Sequence, residues 1–367
     1  MTFHPAPARG PAVRHGGGTR TLRAVALLLV AVFASACTIG GDDTPEGDWA
    51  RTDVWSREDS WRHGGWQDWS PQTWARAASG FRNPVIEQVW NARRLGEARQ
   101  RGKAMARSAA AVRGLAGTAS EPSAAAGSGS PSHLAAVLPV GRVFFDTPEG
   151  PSFCSGTVVQ DPGRPGRSNL VWTAGHCVHA GKEGGWFRNV VFVPHGSDLT
   201  QPPRAGSAAD AWWAEDAAVS EKWIAEGTAR GAGGAFADFA VLRVDPGPGR
   251  AGTSLQEAVG GALPVAFDHS RPPGKVTAVT GGGLAGSSCT GRPGPLSLRG
   301  AGPDTLGMRC AAPDGTTSGG GWFASGADGG LVLVSHTSVR SAPTGWIAGP
   351  RLGREAQSVF TALRRRS

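Results

Sequence analysis

Apolar residues in the later part of the chain come in short runs closed by Gly, Pro, Asp or Asn. They are Val140-Gly-Arg-Val-Phe-Phe, Gly156-Thr-Val-Val, Leu170-Val-Trp-Thr, Val190-Val-Phe-Val, Phe239-Ala-Val-Leu-Arg-Val, Lys275-Val-Thr-Ala-Val and Leu331-Val-Leu-Val. Runs this short suit strands, and most of them have no helical period between them, so the pattern predicts an all-β barrel or sandwich. Composition points the same way. The 56 Gly and 27 Pro against 18% charged residues favour a turn-rich β protein, because both residues sit poorly inside helices. One helix is predicted at the end of the chain, Arg354 to Arg365, with Ala356, Val359, Phe360 and Leu363 on one side.

The beginning of the chain has a different texture. Arg9, Arg14, Arg20 and Arg23 precede an apolar stretch from Ala24 to Ala36, too short to span a bilayer and suited to a signal peptide over residues 1–36. At Ala34-Ser35-Ala36-Cys37 two processing routes stay open: ordinary small-x-small cleavage, or a bacterial lipoprotein box with Cys37 as the lipidated residue. Either places the protein outside the cytoplasm, extracellular or on the cell surface. Residues 37–117 are expected to form a tether or pro-segment. It contains Trp49, Trp55, Trp61, Trp66, Trp69 and Trp74 in a polar setting without clear period, then a basic amphipathic helix opening at Asn83-Pro84 and running to about Gly114. TASEPSAAAGSGSPSH at 118–133 reads as a flexible linker, which leaves 134–367 as the main domain. The net charge of +8 and pI near 10.0 fit anionic surfaces or acidic peptides. The arginines are scattered and no nucleic-acid motif accompanies them, which argues against nucleic-acid binding.

Chemistry concentrates in three places within the β region. Thr173-Ala-Gly-His176-Cys177 puts a histidine just past a buried strand, Ala237-Asp238 puts a carboxylate at the mouth of another, and Thr317-Ser318-Gly319-Gly320 puts a serine in a glycine-rich turn. A serine hydroxyl becomes a useful nucleophile when a histidine takes its proton and a carboxylate steadies that histidine from its other nitrogen. Glycines beside the serine let backbone N–H groups approach a developing oxyanion. Of the 5 cysteines, Cys154, Cys177, Cys289 and Cys310 can pair in an oxidising compartment, and composition leaves the connectivity open. A zinc site at His176 and Cys177 is not expected, since adjacent residues seldom chelate one ion and no CxxC or HxxxH spacing accompanies them.

Taken together, FCSGTVV at 153–159, LVWTAGHCV at 170–178, DFAVLRV at 238–244 and TSGGGW at 317–322 resemble the CSGT, TAxHC, DxAVL and SGGPW motifs of the trypsin-like (chymotrypsin-fold) serine endopeptidases, in their secreted bacterial branch. The chain order His, Asp, Ser matches as well, and the likeness covers roughly residues 138–365. It implies two six-stranded antiparallel β-barrels with the site between them. His176 would be the general base, Asp238 its orienting carboxylate and Ser318 the nucleophile, with the backbone N–H groups of Thr316 and Ser318 as oxyanion donors. It also implies disulfides Cys154–Cys177 and Cys289–Cys310, a protein or peptide substrate, and no cofactor. The strand holding Ser335 and His336 would line the substrate pocket, and a histidine there favours Glu or Asp before the scissile bond. Two positions depart from the family pattern: Thr316 replaces a glycine and Gly321 a proline. A β-branched residue at 316 resists the backbone conformation that aims its N–H, and this motivates the alternative of a catalytically inactive, protease-like binding protein of the cell envelope.

Overall fold

The computed structural model describes residues 70–83, 89–109, 138–182, 184–195, 197, 211–228, 232–245, 252–267, 274–280, 287–296, 305–310, 318–341 and 345–366. The expected signal peptide, Cys37, the tryptophans from Trp49 to Trp69, and the linker at 118–133 lie outside them. Among the described residues no helix is long and apolar enough to cross a membrane.

Six of the strands close a barrel. They are β1 (Val140–Thr147), β2 (Gly150–Val159), β3 (Leu170–Thr173), β4 (Arg188–Pro194), β5 (Trp212–Val219) and β6 (Ala240–Asp245), in the order β1-β2-β3-β6-β5-β4 and antiparallel at every seam. Alternation fills the interior: Val143, Phe145, Val158, Val171, Phe192, Trp212, Leu242 and Val244 belong to one buried cluster. The run Val143-Phe144-Phe145 is apolar throughout because β1 is covered on both faces, with Phe144 turned outward into a second cluster.

In the later half, where a second six-stranded barrel was expected, the described residues show two sheets. Strands β7 (Val276–Thr280), β8 (Ser287–Gly291), β9 (Gly294–Pro295), β10 (Thr305–Arg309), β11 (Gly321–Ser325), β12 (Leu331–His336), β13 (Val339–Ser341) and β14 (Trp346–Pro350) form two four-stranded sheets, ordered β12-β11-β7-β8 and β13-β14-β10-β9. The sheets share a core of Val276, Ala278, Leu306, Met308, Trp322, Val334 and Ile347. The chain crosses between them at Thr337. Its N–H donates to Gly320 O at 2.9 Å on the β11 side, while the next N–H, of Ser338, donates to Ala348 O at 2.8 Å on the β14 side. That change of partner ends β12 and starts β13 in the other sheet. The Cys289–Cys310 disulfide joins β8 to the end of β10, clamping the sheets together ahead of Ser318.

The two halves are stitched by residues 262–267. Leu263 N–H donates to Val158 O at 3.0 Å, and Ala266 N–H donates to Leu333 O at 2.9 Å. A C-terminal helix spans Arg354–Arg365, as its apolar spacing predicts, and buries Ala356, Phe360 and Leu363 against the barrel exterior. Arg364 pairs with Asp161 at 2.6 Å and fixes its far end.

The segment ahead of the linker, expected to be a tether or pro-segment, has its described residues packed on the barrel. Helix α1 (Pro71–Ala77) is capped by Ser70, and its Trp74 is buried with the indole N–H donating to Trp186 O at 3.1 Å. Helix α2 (Ala92–Ala109) starts later than the Asn83-Pro84 signal predicts, and Asn91 caps it by accepting from Arg94 N–H at 3.1 Å. Asn83 is occupied elsewhere. Its side chain accepts from Val190 N–H at 2.7 Å and donates to Val190 O at 2.8 Å and Ala214 O at 2.9 Å, filling a gap in the ladder between β4 and β5. Trp90, Leu95 and Ala98 then bury Phe144, Phe153, Val191, Val193 and Trp213 of the barrel wall. Arg94 ion-pairs with the buried Asp146, whose second oxygen accepts from Asn189 Nδ2 at 2.7 Å.

Candidate active site

The barrel supplies two of the three chemical groups. Strand β3 ends at Thr173, and a single 3-10 turn, Gly175–Cys177, presents His176 at its centre. Cys177 is bonded to Cys154 of β2, so the turn is tied covalently to the neighbouring strand. Trp223, from helix α3 (Glu221–Glu226), backs the imidazole with ring centroids 6.1 Å apart and donates its indole N–H to His179 O at 2.9 Å. Gly175 makes this approach possible. A Cβ there would lie 2.9 Å from Trp223 Cγ and 3.1 Å from Asp238 Oδ1.

Asp238 arrives from the start of β6 and is held from several directions. The His176 backbone N–H donates to Oδ1 at 2.7 Å, His176 Nδ1 lies 2.6 Å from Oδ2, and the Ser338 hydroxyl also donates to Oδ2. The side chain of Asp238 is 1% exposed and that of His176 16%, so the pair faces outward through the imidazole alone. Burial pushes the Asp238 carboxyl up, but the charge and hydrogen bond of His176, the nearby His336 and the Ser338 hydroxyl outweigh it and hold the group below the usual carboxylate range. An ionised carboxylate only accepts, so the proton of the His176–Asp238 bond sits on Nδ1 and leaves the Nε2 lone pair available.

Ser318 comes from the other half of the molecule. Its carbonyl accepts from Ser155 N–H at 2.8 Å, one residue past the disulfide-bonded Cys154, and the following Gly319 N–H donates to Thr337 O at 2.8 Å. Gly319 has φ +75°, and a Cβ on it would fall 2.3 Å from Ser155 O and 2.6 Å from Thr173 Oγ1. Only glycine fits that turn. The serine is therefore hung on the strand that the disulfide ties to the His176 turn. Its hydroxyl makes no hydrogen bond to His176 among the described residues. Thr316, the expected oxyanion donor, lies outside the described residues.

Ser335 and His336 were expected to line the substrate pocket, and the structure places both behind the site. Each is 0% exposed. Ser335 Oγ donates to Pro350 O at 2.8 Å; His336 accepts from Trp172 Nε1 at 3.1 Å, and its Nε2 lies 2.6 Å from Asp238 O. Neither offers a free polar group to a substrate side chain. Conversely, Ser338, Trp172 and Trp223 support the site without any motif announcing them. Their roles depend on where β13, β3 and α3 meet Asp238 and His176, which residue spacing does not express. The sulfurs of Cys154 and Cys177 and a ring nitrogen of His176 lie within 4.8 Å of one another, but the sulfurs are spent on their disulfide, so this group lacks the thiolates a metal would need.

No protein-family model matches the chain, and no curated protein matches it. Among solved structures it is similar to a thermostable serine protease, AL20, from an extremophilic microorganism. That match has 28% identity and a TM-score of 0.50, covering 64% of this chain and 100% of that one. It is also similar to protease Anisep from Arthrobacter nicotinovorans, at 23% identity and a TM-score of 0.48 over 62% of this chain and 96% of that one. A Glu endopeptidase matches at 15% identity and a TM-score of 0.41, over 61% and 90%. With a closed six-stranded barrel carrying the TAGHC turn and a whole-length match to AL20, the chain shares the fold of the chymotrypsin-fold serine proteases.

Proposed function

We propose that the protein is an exported serine endopeptidase that hydrolyses peptide bonds through Ser318, His176 and Asp238 and an acyl-enzyme intermediate. The observation that carries this reading is the buried Asp238 carboxylate engaged by both the backbone N–H and Nδ1 of His176, which leaves Nε2 as a base on the outward side of the pair. His176 takes the Ser318 proton as the hydroxyl attacks the substrate carbonyl, and Asp238 steadies the imidazolium that results. His176 then protonates the leaving amine, and a water deprotonated by the same imidazole releases the acyl group. The N–H groups of Ser318 and Thr316 are the donors for the oxyanion, each worth about 3 kcal/mol in the transition state. Two disulfides fit an oxidising compartment, in keeping with export by residues 1–36, whether the product is released or anchored through Cys37.

The likeness to AL20 supports the peptidase reading, and Thr316 favours a second one, an inactive envelope-binding relative. A fluorophosphonate probe separates them. The full chain is expected to be labelled at Ser318, with labelling and casein cleavage both lost in Ser318→Ala and His176→Ala. Equal labelling of Ser318→Ala would overturn the assignment. An unlabelled full chain that still binds cell wall would establish the binding protein instead.

A further inference from the structure

His336 faces no cleft, yet its surroundings are specific. Asp238 has φ −78° and ψ 66°, and the N–H of Phe239 donates to Ala237 O at 2.9 Å, which makes Asp238 the central residue of an inverse γ-turn. Such a turn uses the carbonyl before the central residue and the N–H after it, leaving the carbonyl of the central residue itself in need of a donor. In a residue buried as deeply as Asp238, an unmet carbonyl is costly. The donor present is His336, whose Nε2 lies 2.6 Å from Asp238 O. Its Nδ1 receives the indole N–H of Trp172 at 3.1 Å. An indole nitrogen only donates and a carbonyl only accepts, so the two partners together leave one arrangement for the ring: Nδ1 bare, Nε2 protonated.

We propose that His336 is a positioning residue for Asp238, a neutral imidazole held in its Nε2–H tautomer by Trp172 that fixes the γ-turn carbonyl and thereby sets where the carboxylate meets His176. One aspartate then stands between two histidines with opposite duties. His176 works on the carboxylate side, where the pair reaches the surface, and His336 holds the backbone side toward the core. Burial pushes His336 down to about 4, so the ring stays neutral where the catalytic imidazole must cycle its charge. A protonated His336 would set two donors, its own Nδ1–H and the Trp172 N–H, against each other.

The kinetic part of this inference rests on the peptidase reading; the geometric part does not, and the experiment keeps them apart. In 15N-histidine NMR of the full chain, His336 is expected to show bare Nδ1 and protonated Nε2 between about pH 5 and pH 8. The Nδ1–H tautomer, or titration within that range, overturns the proposal. His336→Phe keeps a ring of similar size and loses both bonds, whereas His336→Gln places an amide N–H and C=O within reach of the same two partners. The Phe variant is expected to shift the low-field proton resonance of the His176–Asp238 bond and to lower kcat about tenfold to a hundredfold with KM little changed, and the Gln variant to recover most of both. A folded Phe variant with an unmoved resonance and unchanged kcat overturns it as well. Should that variant not fold, the tautomer in the wild type and the resonance in His336→Gln decide. A wild type with the expected tautomer and no peptidase activity would end the peptidase reading and leave the positioning role standing.

Discussion

Asp238 has two kinds of partner, and their removal should differ in kind. Asp238→Asn keeps the shape but gives His176 an amide to pair with, which favours the wrong tautomer. The expected loss is about 10⁴-fold in kcat, with the protein folded. Ser338→Ala removes one hydroxyl donor from Oδ2 and leaves both His176 contacts, so its loss should stay within about a hundredfold, the scale of one hydrogen bond to a charged group. Steady-state kinetics on a peptide substrate check both, and equal losses would contradict the assignment of roles. Gly319 tests the serine side. A Cβ there would strike Ser155 O, so Gly319→Ala should abolish probe labelling at Ser318 even though the proposed nucleophile is unchanged. At this scale the motifs TAGHC, DFAVL and TSGGG were enough to single out His176, Asp238 and Ser318 as candidates, because the chemistry needs those side chains in short, recognisable contexts. Ser338 and Trp172 were not legible, since each matters through a contact made far along the chain.

At the scale of elements, α1 and α2 change what the domain is. Sequence texture separates residues 37–117 from 134–367 by a linker, but burial joins them: Trp74, Asn83, Trp90 and Leu95 complete the barrel wall and the loop that follows His176. Trp90 packs on Phe144 at 5.5 Å between ring centroids and donates its indole N–H to Asn189 O at 2.8 Å. Trp90→Ala should therefore cost about 3–5 kcal/mol, read from the shift of the urea midpoint. A chain beginning at residue 134 would expose Phe144, Phe153, Val191 and Trp213 together, and is expected to aggregate or melt well below one that includes residues 70–109. An equally stable truncated domain would show the segment to be the removable tether its composition resembles. That a basic helix lies ahead of the linker was legible, whereas its start at Ala92, the face it buries through Leu95 and Ala98, and its target were not, because a helix's apolar stripe says that something covers it without saying what.

For the molecule as a whole, acid is the expected weakness. Burial holds both His179 and His336 down to about 4, against an ordinary value of 6.5. The folded protein keeps these rings neutral while the unfolded chain protonates them, so below about pH 6.5 unfolding takes up protons and is favoured. Their contribution to stability is present in full above that pH and is lost as pH falls toward 4. Melting temperature should decline through that window, and His336→Gln should flatten the decline. A melting temperature independent of pH between those limits would contradict the buried neutral histidines. What the sequence by itself determined was the local grammar: short strands, a closing helix at Arg354–Arg365, and the candidate side chains on which the proposed chemistry rests. Each of these follows from residue type and near-neighbour spacing. Only the tertiary structure decided that the later strands form two sheets with a crossing at Thr337, that His336 turns inward to Asp238, and that the N-terminal helices belong to the barrel. Those outcomes depend on which distant surfaces bury one another and which distant donors meet buried acceptors, a competition settled only when the whole chain packs.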